Sequence, residues 1–219
     1  MEIYNDIKRH KVKKTKTPFT LVLDLDETLV RTYENLMNLR KSKILKNPEF
    51  YPIRSQLYVL TLEDDDDENK LWGFRRPYLR DFLQFASEYF ENVCVWSAGT
   101  SDYVYEVCNH IFEDYKPDLI LTRDHCEMID DVPYKPLKKL YEMLPKANEK
   151  NTIMIDDRDD VMKLNPNNGI IIPSYTPNTK NIKTITSDNN LEKIVNWLNN
   201  KNVMFSTDVT KVNKDNIFN

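Results

Sequence analysis

Short unbroken apolar runs recur along the chain: LVL at 21–23, VCV at 93–95, LIL at 119–121, IMI at 153–155 and III at 170–172. Runs of that length without alternation predict strands buried on both faces of a parallel sheet. Between them lie segments with apolar residues at helical spacing. Tyr78, Leu79, Phe82, Leu83, Phe85 and Ala86 form one such face, and Tyr103, Val104, Val107 and Ile111 a second. Leu137, Leu140, Tyr141 and Leu144 form a third, and Leu191, Ile194, Val195 and Leu198 a fourth. Pro77 suits a helix start, Ser101 or Asp102 a helix cap, and Ser187 or Asp188 the cap of the last helix. Strands alternating with helices predict an α/β fold with a mainly parallel sheet and right-handed crossovers.

Other stretches break that rhythm. QLYVLTL at 56–62 and LWGFRR at 71–76 predict a β-hairpin whose tip is the acidic run EDDDDE at 63–68. That run lacks the alternation, central glycine and distal glutamate of a calcium loop. Residues 34–45 carry a short helical pattern. Residues 1–17 are polar and basic and read as a solvated arm; residues 200–219 lack periodicity and read as a polar tail. The expected division is therefore arm 1–17, domain 18–199 and tail 200–219.

Composition mostly excludes. A chain of 219 residues with net charge −4 has room for a sizeable core and no general bias toward nucleic acid or membrane. Its 3 cysteines, Cys94, Cys108 and Cys126, are scattered, which argues against a disulfide framework or a structural zinc site. That pattern fits a reducing intracellular compartment, cytoplasmic or nuclear. No apolar run approaches a membrane span and no signal-peptide pattern follows Met1, so secretion is not expected. With 3 glycines there is no glycine-rich phosphate loop, and with 3 histidines no histidine metal centre.

The chemistry lies where the strands end. Asp24 and Asp26 close the first apolar run, and Asp156 and Asp157 close the IMI run. Ser97 follows NVCVW, and Lys135 precedes Pro136 at a helix start. In a parallel sheet all these ends share one edge, where ligand sites of open α/β sheets lie. Several carboxylates without histidine describe a hard-cation site, magnesium before zinc. A lysine and a hydroxyl beside such a site suit anionic oxygens, and the set as a whole suggests phosphoryl transfer.

In these motifs the chain resembles the haloacid dehalogenase superfamily. Within it, the chain is similar to the small C-terminal-domain phosphatases (FCP/SCP-like, NLI-interacting-factor-like) that act on phosphoserine in the tail of RNA polymerase II. DLDET at 24–28, VWSAGT at 95–100, YKPL at 134–137 and IDDR at 155–158 match the four family motifs in order. RRPYLRDFL at 75–83, LTRDHC at 121–126 and NPNNGIIIPSY at 165–175 match further blocks, so the resemblance covers roughly residues 18–198. Many relatives carry threonine where Ser97 stands.

The resemblance implies a Rossmann-like three-layer sandwich with a small β-hairpin insertion and no large cap domain. It implies Asp24 as a nucleophile that forms an aspartyl-phosphate, and Asp26 as general acid and then base. Mg2+ would be held by Asp24, Asp157 and the Asp26 backbone, with Asp156 behind or among the ligands. Ser97 and Lys135 would hold phosphoryl oxygens, Arg123 would sit near the substrate phosphate, and Tyr103 would line the substrate pocket. Thr28 is expected to brace the turn after Asp26. The expected partner is a phosphorylated protein or peptide, with no nucleic acid or membrane, because an uncapped site would not enclose a small metabolite. Two other readings remain open at this point: a phosphatase of nucleic-acid ends or small phosphate esters, and a catalytically silent adaptor like mitochondrial translocase subunits of this fold.

Overall fold

A computed structural model describes residues 17–42, 44–62, 70–113 and 115–219. The basic arm up to residue 16 and the acidic run at 63–68 lie outside the described residues. The first strand, β1 (Thr20–Leu23), is fully buried. The strands that follow are β2 (Val30–Tyr33), β3 (Leu57–Leu60), β4 (Leu71–Arg75), β5 (Asn92–Trp96) and β6 (Leu119–Leu121). Then come the short β7 (Glu127–Ile129) and β8 (Val132–Tyr134), followed by β9 (Thr152–Asp156) and β10 (Gly169–Ile171). The helices are α1 (Leu36–Lys41), α2 (Leu79–Tyr89), α3 (Ser101–Ile111), α4 (Leu137–Met143), α5 (Ile182–Thr186), α6 (Asn190–Leu198) and α7 (Lys201–Met204).

The sheet order is β10-β9-β1-β5-β6, and every neighbouring pair is parallel. Side chains alternate across it as the strand period requires. Leu21, Leu23, Val93, Val95, Ile153 and Ile155 face a core that includes residues of α2, α3 and α6. Val22, Cys94, Trp96 and Met154 face the opposite core, which includes Leu137 and Leu140 of α4. Both faces being covered is why the central strands read as continuous apolar runs. The fold is a three-layer α/β sandwich, as expected.

Two additions flank it. Strands β2, β4 and β3 form an antiparallel sheet, with α1 and Ile185 of α5 contributing to a third core around Trp72 and Phe74. The expected hairpin at 56–62 and 71–76 is the β3–β4 part of this sheet. Strands β7 and β8 form a separate antiparallel hairpin just before Lys135. No large cap domain occurs among the described residues.

Several expectations need correction. Helix α2 starts at Leu79, not at Pro77, because Tyr78 takes a left-handed conformation as its N-cap. Thr100, rather than Ser101 or Asp102, precedes α3 as N-cap. Asn189 occupies that position on α6 without a side-chain cap bond, and Asp188 caps the helix from one residue earlier, its Oδ1 accepting from Asn190 N–H at 3.1 Å. The helical pattern at 34–45 is realised only as α1. The stretch 200–219 is not a loose tail. It folds back so that Val203, Val209 and Ile217 are buried in the main core. Lys214 Nζ donates to the carbonyls of Asn167, Val209 and Val212, which ties the segment down. Single apolar residues anchored by backbone bonds leave no periodicity to read. At the other end Thr17, assigned to the arm, is buried and its hydroxyl donates to the Tyr89 carbonyl at 2.7 Å.

Candidate active site

The parallel register places Leu23 beside Val95 of β5 and Ile155 of β9, so the residues that follow these strands emerge on one edge. Asp24 is still held to the sheet, its N–H donating to the Ile155 carbonyl at 3.0 Å. The chain then turns tightly. Leu29 and Val30 donate to the Leu25 carbonyl, Glu27 N–H donates to the Val30 carbonyl, and Glu27 is in the left-handed region at φ 60°. That turn brings Asp26 to the same edge as Asp24.

Lys135 Nζ bridges the two strand ends. It donates to Asp24 Oδ1 at 2.5 Å and to Asp156 Oδ2 at 2.6 Å, and all three residues are buried. Asn165 sets the lysine's backbone: its amide donates to the Lys135 carbonyl at 2.8 Å while its oxygen accepts from Leu137 N–H at 2.9 Å. Burial alone opposes charge on Lys135, yet Asp24 and Asp156 outweigh it and hold the ammonium above the ordinary lysine range. Burial pushes Asp24 the other way from a free carboxylate, well above the usual range. Lys135 opposes that rise, and Asp156 and Asp26 add to it.

Asp24, Asp156 and Asp157 each offer a carboxylate oxygen within 4.8 Å of the others. Against them stand Lys135 in direct contact and, farther off, the Arg158 guanidinium, itself paired with Asp160, so the cluster carries excess negative charge. An all-oxygen donor set with that excess fits a hard divalent cation such as magnesium. Asp156 already has both oxygens engaged, by Lys135 and by Arg158 N–H at 3.0 Å. Asp157 is half-buried and accepts from Thr28 at 3.4 Å and Ser174 at 2.8 Å. The buried Thr28 thus braces the turn, as expected, through a strand end distant in sequence.

Asp26 is half-buried. Its Oδ1 accepts from the Tyr103 hydroxyl at 2.5 Å, and burial raises its carboxyl above the usual range despite that bond. Tyr103 is therefore drawn into the acid's environment rather than lying only along a pocket wall. Ser97 is buried at the end of β5. Its oxygen accepts from Gly99 N–H at 3.0 Å, so it closes a turn and does not cap α3. Gly99 has no alternative there: a Cβ would stand 2.7 Å from Tyr103 Cδ1. Arg123 is exposed and its Nε donates to the Ala98 carbonyl at 2.8 Å, on the loop that carries Ser97.

The structure thus joins Asp24, Lys135 and Asp156 directly, and joins Asp26 to Tyr103. Ser97 lies on the loop after β5, and Arg123, which follows β6, hydrogen-bonds that loop. Reading the sequence missed Thr32, Asn165 and Ser174, which hold site residues, and Tyr58, which holds Thr32. Asn165 and Ser174 lie in a block that resembles the family, which was a signal for them. Thr32 and Tyr58 carry none, since their role arises across the small antiparallel sheet.

Residues 19–210 match the family described as NLI interacting factor-like phosphatase. The phosphatase PSR1 of Saccharomyces cerevisiae is 27% identical over 209 residues, covering 95% of this chain and 42% of the relative. A probable C-terminal domain small phosphatase of Dictyostelium discoideum is 27% identical over 156 residues, covering 71% of this chain and 44% of the relative. The chain therefore spans less than half the length of these curated relatives. Among solved structures, fission yeast RNA polymerase II CTD phosphatase Fcp1 bound to beryllium fluoride superposes with a TM-score of 0.57 at 22% identity, over 73% of this chain and 42% of that one. A second structure of Fcp1 gives a TM-score of 0.58 at 20% identity, over 93% of this chain and 60% of that one. Both likenesses are of fold.

Proposed function

The chain belongs to the NLI interacting factor-like phosphatase family, and from that membership and the geometry of the strand ends we propose that it is a magnesium-dependent phosphoprotein phosphatase. The observation that carries the reading is the cluster of Asp24, Asp156 and Asp157 oxygens within 4.8 Å, with Lys135 bound to two of the three. Structural ion pairs seldom leave three carboxylates facing one cation, because the excess charge destabilises the fold unless it is used.

Asp24 attacks the phosphorus of a phosphoserine or phosphothreonine, and its carboxylate oxygen takes the phosphoryl group as the serine or threonine oxygen departs. Asp26 gives that departing oxygen a proton. The same carboxylate, now ionised, then takes a proton from the water that hydrolyses the aspartyl-phosphate, so one group serves both steps. Lys135 keeps Asp24 aimed and offers positive charge to the transferred oxygens. Ser97 offers its hydroxyl there, and Arg123 and Tyr103 meet the flanking parts of the substrate. Asp24 and Asp157, with the Asp26 backbone carbonyl, would hold the magnesium ion, and Asp156 would support them. Bound there, the ion supplies positive charge that offsets the repulsion between carboxylate and phosphate.

Among the described residues no large cap covers this edge, which favours a protein or peptide over a small phosphate ester. Remote contacts raise kcat/KM only for substrates long enough to make them. A phosphoserine peptide with a neighbouring proline is expected to exceed free phosphoserine by about tenfold in kcat/KM, equivalent to ~1.4 kcal/mol. The test measures these two substrates and a 3′-phosphorylated oligonucleotide, each with magnesium and with excess EDTA. Preference for the oligonucleotide over every phosphopeptide would overturn the substrate class, and full turnover in EDTA would overturn the metal assignment.

A further inference from the structure

Behind Asp26 and Tyr103 the line of hydroxyls continues to Thr32 and Tyr58, which the mechanism above leaves unused. Thr32 Oγ1 lies 2.5 Å from the Tyr103 hydroxyl and 2.7 Å from the Tyr58 hydroxyl. Tyr103 in turn donates to Asp26 Oδ1. Once Tyr103 donates to the carboxyl, its oxygen is left to accept from Thr32, and the Thr32 oxygen is left to accept from Tyr58. Thr32 also reaches the Asp26 carboxyl itself, so the hydroxyls of the line converge on Asp26, and such a network polarises its successive bonds.

The small sheet is built to allow this. In β4, Gly73 pairs with Thr32 of β2 on one side and with Tyr58 of β3 on the other. The three residues form one row across the sheet. A Cβ on Gly73 would stand 2.5 Å from both Cζ and the hydroxyl oxygen of Tyr58. The glycine is thus a lane over which the Tyr58 phenol crosses the middle strand to reach Thr32. Tyr58 is 4% exposed, so its hydroxyl serves the interior rather than solvent or substrate.

We propose that Thr32 and Tyr58 are positioning residues for the Asp26 carboxyl: the hydrogen-bonded line from Tyr58 through Thr32 and Tyr103 holds Oδ1 in one seat and leaves Oδ2 as the oxygen available to the substrate. With Oδ1 held there, the carboxyl keeps one orientation through both steps of the proposed reaction. The β2–β4–β3 sheet thereby becomes part of the acid–base machinery and not merely a decoration beside it. This inference rests on Asp26 being the acid of the proposed phosphatase reaction.

The test exploits leaving-group chemistry. A serine alkoxide needs a proton as it departs, whereas para-nitrophenolate needs little help, and kcat/KM reports the step up to phosphoryl transfer. The ratio of kcat/KM for a phosphoserine peptide to that for para-nitrophenyl phosphate is measured for wild type, Tyr58→Phe, Thr32→Val and Asp26→Asn. The ratio is internal to each preparation, so a partly unfolded variant still gives a valid reading. Tyr58→Phe and Thr32→Val are expected to lower it about fivefold, and Asp26→Asn by considerably more. If Asp26→Asn lowers the ratio but the other two leave it unchanged, the positioning inference is overturned while the acid assignment stands. If Asp26→Asn also leaves it unchanged, Asp26 is not the acid and both fall.

Discussion

Asp24 and Lys135 are partners in one ion pair, yet their removal should have opposite effects on stability. A carboxyl whose pKa lies higher in the folded than in the unfolded chain destabilises the fold at neutral pH, because burial opposes its ionisation. Asp24 is such a group. Asp24→Asn keeps the shape, removes one charge from the crowded edge and leaves Lys135 with Asp156. Phosphatase activity should vanish while stability in EDTA holds or rises. Lys135→Met instead strands Asp24 and Asp156 without their cation, a loss of about 3 kcal/mol by the usual cost of an unpaired buried charge. Urea denaturation of both variants in chelator checks the pair, and a destabilised Asp24→Asn would contradict the charge argument. Both residues were readable from the sequence as candidates, since a carboxylate after a buried strand and a lysine before proline are out of place. That they touch each other was not.

The elements are locked together by a residue that is not at the reacting centre. Arg76, buried between β4 and α2, donates to the Thr28 carbonyl at 2.9 Å, to the Pro173 carbonyl at 2.6 Å, and to both carboxylate oxygens of Asp188 at 2.9 and 2.8 Å. It therefore ties the turn after β1 to the segment after β10 and to the start of α6. Burial works to raise the Asp188 carboxyl, but the hydrogen bonds and charge of Arg76, helped by Asn190, bring it below the usual carboxylate range. A depressed acid stabilises the fold above its unfolded pKa, and the contribution is lost as pH falls through the folded value. Asp188→Asn is expected to cost about 3 kcal/mol at pH 7, because it leaves the Arg76 guanidinium buried without its counter-charge. The deficit should shrink as pH falls below the usual carboxylate range, where wild type loses the same interaction. Denaturation curves at pH 7 and at acid pH measure this, and a pH-independent deficit would refute it. The sequence marks Asp188 as a helix cap, and the structure uses it both to cap Asn190 N–H and to clamp Arg76.

Across the whole molecule, the C-terminal segment is structural. Truncation after Asn200 would remove Val203, Val209 and Ile217 from the main core and release Lys193 from the Phe218 carbonyl. Burial of three such side chains stabilises by about 4 kcal/mol after allowing for a compact unfolded state. For a domain of this size that corresponds to a fall in Tm of roughly 10 °C. Differential scanning calorimetry of the truncated and intact chains measures the shift, and an unchanged Tm would show that the segment packs without stabilising. No helix among the described residues is long and apolar enough to cross a membrane.

The layered α/β sandwich was legible in the sequence because a strand buried on both faces must be apolar at every position. Strands β1, β5 and β9 show that pattern, and their ends were visible where the apolar runs gave way to Asp24, Ser97 and Asp156. Local chemistry of this kind depends on a residue and its immediate neighbours, and the sequence states it directly. The tertiary structure decided what depends on distance through space. It chose Lys135 as the cation shared by Asp24 and Asp156, 111 and 21 positions away along the chain. It aligned Thr32, Gly73 and Tyr58 in one row of a sheet, and it drew 200–219 onto the core. Such pairings depend on register and chain return, and they are fixed by the free energy of burying whole faces rather than by any periodicity that a segment carries on its own.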